Sequence, residues 1–466
     1  MRSLLHVHAR RFLAFVVAVA IWPLAARAQS TPNLAVLRGL LPFSELLDST
    51  AGRGALDANY SITGAIAGGT ARQPTLETFA AQRQQALDDA YITAANALQL
   101  ADGLGPTLEQ SYRSVAKCPK PENGVPSRCT MALESVAELL TYALSLSEAD
   151  SNSAKYFFAN GRMSANGKSL PLAGPAATFL TAAGGTTDAY GAAYQHPAGS
   201  NGADPLGDSR PFQTEPASEV PAYSGADYFG APTTNTAYLS GNAADLTMSP
   251  AFPSGHTTYG FTESVLLGVM VPERYPQMVA RAAEYGNDRI ILGAHYAMDV
   301  IGGRTLALYD LAHLFAGYPA YAGLQFGQST IGDFGVALTA ARNDLRRSLA
   351  AGCGDTLAAC ANDAKNRFGD PAAVKKFYES TQTYGLPVVF ASTAGTVEDV
   401  GKIAPEAGSL LTAAFPALSI AQADRILTET EGPGGGFLDD GSCFGVYSRL
   451  NLYEAALRAE KLVASP

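Results

Sequence analysis

Three short segments of this 466-residue chain carry residue types whose spacing suits anion binding and proton transfer. In the last of them, Asp288-Arg289 is followed by His295 and Asp299. Residues four apart share a helix face, so the Asp299 carboxylate can hold the His295 ring. Such a partner fixes which ring nitrogen is free to attack and stabilises positive charge formed on the ring. The middle segment is Pro253-Ser254-Gly255-His256, set directly before an apolar helical pattern. Backbone N–H groups at a helix start favour an anion, and Gly255 allows it to come close. Ser254 adds a hydrogen-bond donor, and His256 stands where a proton could be delivered. The first segment, Ser209-Arg210-Pro211, supplies a guanidinium able to grip a phosphate-like group through two parallel bonds. Together these are the parts that phosphoryl transfer needs: positive charge around an oxyanion, one attacking His and one protonating His. Taken singly, Arg210 reads as a surface charge and Ser254 as an ordinary helix cap. His295 with Asp299 reads as a helix pair or half a metal site, and no further ligands stand at metal-binding spacing.

The order Ser209-Arg210-Pro211, Pro253-Ser254-Gly255-His256, Arg289-x5-His295-x3-Asp299 resembles the signature of a known family. It is that of the type 2 phosphatidic acid phosphatase and vanadium haloperoxidase superfamily, which includes the class A bacterial acid phosphatases. The motifs run from Arg210 to Asp299, a small part of the chain. The resemblance implies that His295 is a nucleophile forming a phosphohistidine, oriented by Asp299, with His256 as general acid. It also implies that Arg210, Ser254, the Gly255 amide and Arg289 hold phosphate oxygens, and that no metal takes part. The expected protein is a secreted acid phosphatase acting on small phosphate monoesters. The alternatives are a vanadium-dependent haloperoxidase, with vanadate in the same pocket, and a non-catalytic periplasmic anion-binding protein. Two positions depart from the family pattern. Ala203 stands where its first motif has Lys, leaving that charge missing or supplied elsewhere, with Lys168 one candidate. Asp288 stands where Ser usually precedes the Arg; it either weakens dianion binding or points away and pairs with Arg289.

The elements that must position these residues read as helices. Apolar residues recur at three- and four-residue spacing from Thr75 through Leu98, with a stop at Asp102-Gly103, which predicts one long amphipathic helix. Further helices are expected over 131–146, 257–271, 278–285, 296–315, 334–349, 421–428 and 452–462, with few alternating runs. The fold class is therefore mostly α, and the resemblance makes it a helix bundle of the acid phosphatase and haloperoxidase type. Between 163 and 252 the composition shifts to Gly, Pro, Ser, Thr and Tyr. Tyr190, Tyr194, Tyr223, Tyr228 and Tyr238 give this irregular insert enough aromatic surface to pack as a cover over a helical core. The expected organisation is a signal peptide (1–28), a core containing the insert (29–350) and a C-terminal helical subdomain (351–466). Gly434-Gly435-Gly436 lacks the Lys-Ser/Thr of a nucleotide loop and reads as a turn. Asp439-Asp440 reads as solvated, and His196 and His313 as structural.

Composition sets the compartment and excludes partners. Arg2, Arg10 and Arg11, an apolar run over 12–24 and Ala26-Arg27-Ala28 form a secretory signal pattern, placing the protein in the periplasm or outside the cell. Its cleavage removes four Arg and no acid, taking the net charge from −10 to −14. That balance argues against nucleic acid and against a polybasic membrane surface. No later run is long enough to span a bilayer. Disulfides Cys118–Cys129 and Cys353–Cys360 suit an oxidising compartment, with Cys443 left over and expected to be buried.

Overall fold

A computed structural model describes residues 33–71, 74–89, 96–117, 129–159, 164–165, 168–169, 178, 189–195, 207–214, 246, 249–362 and 367–464. Helices dominate them, and the strands are three two-residue antiparallel pairs: Ala116–Lys117 with Thr130–Met131, Ser164–Ala165 with Lys168–Ser169, and Gln325–Phe326 with Ser329–Thr330. The mostly α expectation holds. Side-chain caps start many of the helices by satisfying N–H groups that lack an intrahelical acceptor. Ser49 accepts from Gly52 N at 2.9 Å, Asp333 from Val336 N at 3.0 Å and Asp370 from Ala372 N at 2.9 Å.

The helix Gly255–Met270 is the centre of the bundle. Nearly every side chain on it is buried, polar Thr258, Thr262, Glu263 and Ser264 among them, as befits a central helix. It packs against the helices Glu134–Phe158, Tyr275–Ile291, Ala297–Phe315 and Phe334–Cys353. Glycines set the closest approaches. A Cβ on Gly303 would stand 2.4 Å from the Ser254 carbonyl, and one on Gly260 would stand 2.3 Å from the Tyr285 ring. The Ala297 helix can therefore lie directly on the loop that begins the Gly255 helix. The C-terminal segments pack onto the same core. Arg304, buried in the Ala297 helix, donates to the carbonyls of Thr381, Gln382 and Ser448 at 3.0, 2.9 and 3.1 Å. Ser409 Oγ donates to Ala312 O at 2.7 Å. No helix of the described residues is long and apolar enough to cross a membrane.

Several expectations need correction. The long helix from Thr75 is shorter: it runs from Phe79 to Asp88, capped by Thr78. Beyond it Ala97 is left-handed (φ 47°), which an α-helix cannot pass through, and a 3-10 turn follows over Leu98–Leu104. The helix expected to end at Leu146 instead continues to Phe158. Cys353–Cys360 is a disulfide; Cys129 is disulfide-bonded, while Cys118 lies outside the described residues. Cys443 is free and exposed rather than buried, with its thiol 3.9 Å from Glu406 Oε1. Asp439 is buried, not solvated: it accepts from Gly435 N at 2.6 Å and faces Arg449 at 3.7 Å. His313 is packed among Tyr309, Tyr318 and Tyr321, as a structural residue would be. His196, Tyr223, Tyr228, Tyr238 and the first 32 residues lie outside the described residues.

Two glycines separate the packing role from simple helix propensity. Gly303→Ala should destabilise the protein by about 1–3 kcal/mol, because the methyl meets backbone that cannot yield. Gly54→Ala, in an exposed helical position with nothing within 4 Å, should stabilise by about 0.5–1 kcal/mol. Thermal unfolding of both variants checks the pair; a Gly303→Ala protein as stable as the parent contradicts this packing.

Candidate active site

The three motifs come together between helix ends. His295 is not on a helix. It stands just before the Ala297 helix, whose N-cap is Tyr296 and whose third residue is Asp299. The Asp299 side chain turns back over this first turn: Oδ2 accepts from Tyr296 N at 2.8 Å and lies 3.2 Å from His295 Nδ1. The four-residue spacing thus acts through a helix cap rather than along a helix face. Oδ1 accepts from the Tyr190 hydroxyl at 2.7 Å. The Asp299 main-chain carbonyl accepts Ser254 N at 3.0 Å, tying the middle motif to the same turn.

On the other side of the ring, Arg210 Nη1 lies 3.0 Å from His295 Nε2. A guanidinium can only donate, so Nε2 carries the lone pair and Nδ1 carries the proton given to Asp299. Arg210 is itself anchored by backbone: Nε donates to Ser249 O at 2.8 Å, Nη1 to Ala294 O at 2.9 Å and Nη2 to Pro250 O at 3.0 Å. Nη2 also meets Ser249 Oγ at 3.2 Å. The N–H directed at Nε2 is therefore the one turned toward a ligand on that nitrogen, in place of the two-bond grip expected from sequence.

Ser254 caps the Gly255 helix. Its Oγ accepts from Thr257 N at 3.1 Å and from Thr257 Oγ1 at 2.9 Å, and neither bond uses the Ser254 O–H. The Gly255 and His256 amides stand in the first turn, where N–H groups have no intrahelical acceptor and the dipole favours an anion. His256 sits at the rim, partly accessible, its ring centre 5.8 Å from that of His295. A single small group between the rings can touch both.

Arg289 comes from the last turn of the Tyr275 helix. Its Nη2 donates to Asp89 O at 2.6 Å, its guanidinium lies 4.5 Å from the Tyr285 ring centre, and its buried Nε has no hydrogen-bond partner. The neighbouring Asp288 pairs with Asp89, not with Arg289 as one of the two expectations had it. Burial, the charge of Asp89 and a hydrogen bond to Asp89 all push the Asp288 carboxyl well above the usual range. A shift in that direction favours the uncharged acid over the carboxylate. Asp89 in turn receives both Nη1 and Nη2 of Arg281, at 2.7 and 2.6 Å.

The structure also places residues that sequence reasoning missed. The Glu134 helix presents Ser151 and Lys155, one turn apart, to the middle motif. A Cβ on Gly255 would stand 3.2 Å from Ser151 Oγ and 3.6 Å from Lys155 Nζ, so glycine leaves open a polar cradle that a methyl would crowd. Ser151 Oγ and His256 Nδ1 are buried without a hydrogen-bond partner. The cation absent at Ala203 thus has a counterpart in Lys155, well upstream in the chain. Ala203 and the Lys168 side chain lie outside the described residues. Burial, and then the charges of Arg289, Lys155 and Arg210, hold His256 well below its usual pKa. His295 is lowered for similar reasons, burial first and Arg210 next. Both shifts favour the neutral rings.

Residues 206–320 match the PAP2 superfamily. Over 64 residues the chain is 39% identical to the non-specific acid phosphatase of Salmonella typhimurium, covering 14% of this chain and 26% of that protein. It is 34% identical over 64 residues to an acid phosphatase of Zymomonas mobilis, 14% of this chain and 24% of the relative. To a non-specific acid phosphatase of Providencia stuartii it is 27% identical over 142 residues, 28% of this chain and 56% of the relative. The matches span from about a quarter to just over half the length of these relatives. Arg210, Ser254, His256, Arg289, His295 and Asp299 all lie within the stretch that matches the PAP2 superfamily, and parts of the chain are similar to bacterial acid phosphatases.

Proposed function

We propose that this protein is an exported acid phosphatase that hydrolyses small phosphate monoesters through a phosphohistidine at His295. One observation carries the reading: a lone pair on His295 Nε2, its tautomer set by Asp299 on one side and Arg210 on the other, facing His256 across a cradle of cations. The relatives named as acid phosphatases favour this over haloperoxidase chemistry or simple anion binding. The N-terminal signal pattern in the sequence and the Cys353–Cys360 disulfide fit export to an oxidising compartment.

In this reading the phosphate oxygens take the Ser254 O–H, the Gly255 and His256 amides, Arg289 and Lys155, while the Nη1 N–H of Arg210 passes from Nε2 to an oxygen. Nε2 attacks phosphorus in line; the Nε2–P bond forms as the ester P–O bond breaks, and protonated His256 gives its proton to the departing oxygen. A water then attacks phosphorus and yields a proton to His256. The N–P bond breaks with its electron pair returning to Nε2. Fixed cations, placed where charge gathers, supply the electrostatic part without a metal ion. Removing His256 costs most where the leaving group needs a proton.

The assignment is tested with p-nitrophenyl phosphate and phenyl phosphate in EDTA. His295→Ala should abolish turnover of both. His256→Asn should lose about 10²–10⁴-fold on phenyl phosphate and far less on the nitrophenyl ester, whose leaving group departs as a stable anion. Lys155→Met should raise KM by about tenfold or more, one charge-assisted bond to phosphate being lost. A His295→Ala enzyme with parental activity overturns the reading.

The pKa pattern gives a separate test. A bound dianion favours protonated His256, whereas the free enzyme holds it neutral, so anion binding takes up a proton. Sulfate keeps its charge across the range, and its inhibition should weaken by up to about tenfold per pH unit between about pH 6 and 8. The slope should vanish in His256→Asn. A pH-independent sulfate constant in the parent enzyme contradicts the protonation scheme.

A further inference from the structure

We propose that Tyr190, from the irregular insert, is a positioning residue that keeps the shared proton on His295 Nδ1 while phosphate is released from Nε2. The inference rests on the reading of His295 as the nucleophile and goes beyond it, because none of the sequence motifs includes this tyrosine.

Tyr190 is fully buried, in the five-residue helix Ala189–Ala193. Its ring stands edge-on to Phe43 at 5.1 Å, stacks on Tyr194 at 5.5 Å and tilts against Tyr296 at 4.6 Å. Tyr194 is pinned in turn, donating to Leu56 O at 2.9 Å. These contacts aim the Tyr190 hydroxyl at Asp299 Oδ1, 2.7 Å away, while Oδ2 serves His295 and Tyr296 N. The two carboxylate oxygens thus have separate duties, one toward the nucleophile and one toward the insert. Arg210 and Lys155 are the cations that also act on this carboxylate. Asp208 and Tyr194 are the other titratable groups acting on Tyr190. Burial pushes Asp299 up to about 7; among the groups that oppose this, the Tyr190 hydroxyl comes first, followed by the Tyr296 amide, Arg210 and Lys155.

The chemical consequence falls on the second half-reaction. In the phosphoenzyme the ring carries phosphorus on Nε2 and a proton on Nδ1, and it departs as neutral imidazole when water attacks. If Asp299 took the Nδ1 proton first, the ring would have to leave as an anion, and the N–P bond would break slowly. Without Tyr190 the carboxylate has one donor fewer in a buried place and becomes the better base. At a pH where Asp299 is ionised, formation of the phosphoenzyme does not suffer, since a more basic carboxylate makes His295 no weaker a nucleophile.

The test is Tyr190→Phe in the full chain, which keeps the ring and its packing. Phosphoenzyme decay is followed after mixing with labelled substrate and quenching in alkali, where an imidazole N–P bond survives. Decay should slow by about tenfold, the effect of one lost hydrogen bond to a charged group. The labelled enzyme should accumulate, and kcat and KM should fall together while kcat/KM stays within about twofold. Should Tyr190→Phe fold poorly, difluorotyrosine at position 190, a stronger donor of nearly the same shape, should speed decay instead. Unchanged decay, or a fall in kcat/KM with no added phosphoenzyme, overturns the role given to Tyr190. A parent enzyme that forms no phosphohistidine overturns the nucleophile assignment instead, so the two failures are distinguishable.

Discussion

The site is organised by one buried carboxylate at the start of one helix. Asp299 accepts from the Tyr296 amide, from His295 and from the Tyr190 hydroxyl, and its own carbonyl receives the Ser254 amide. Three chain segments therefore meet at a single residue: the turn that leads from His295 into the Ala297 helix, the Ser254 loop and the segment carrying Tyr190. Burying a carboxylate without such donors costs several kcal/mol, so the same bonds that make it tolerable also fix the geometry. Gly303 makes the meeting possible by letting the Ser254 carbonyl lie against the helix backbone.

Charge is the second constraint. The full chain carries a net −10, yet Arg210, Arg289 and Lys155 converge on one pocket. Each cation is held by a different device. Arg210 is held by carbonyls of the two loops that it bridges, and Arg289 by a carbonyl and the face of Tyr285. Lys155 is held by its place on a long helix. Asp288 is a potential opponent of the arrangement, but burial first and Asp89 second push its carboxyl well above the usual range, which favours the uncharged form. Behind them, Arg281 joins Asp89 to Asp102, and Arg367 joins Asp102 to Glu284. An anion entering the pocket thus meets positive groups that need little reorganisation.

Much of this was readable from residue order. Periodic apolar spacing located the helices of the core, and the motif order picked out the residues that the structure gathers around His295. What escaped did so for physical reasons. The apolar pattern of the Glu134 helix stops at Leu146 because its continuation is rich in polar residues. Ser151 and Lys155 on that stretch face the pocket, so the positions that broke the hydrophobic pattern are the ones with a polar task. Lys155 is also hidden by distance, since it precedes the insert that contains Arg210, and a motif of fixed spacing does not reach it. Tyr190 carried no motif at all; only packing reveals that its hydroxyl ends on Asp299. The over-long helix from Thr75 failed on backbone conformation, since nothing in the side-chain pattern marks Ala97 as left-handed.

The central claim is a covalent bond between phosphorus and His295 Nε2. It is tested most directly by mixing enzyme with labelled p-nitrophenyl phosphate, quenching in alkali within the first turnover and mapping the labelled peptide. The account predicts one phosphoryl group on the peptide containing His295, absent from His295→Ala. Label on His256, or turnover with no labelled peptide at all, would contradict it.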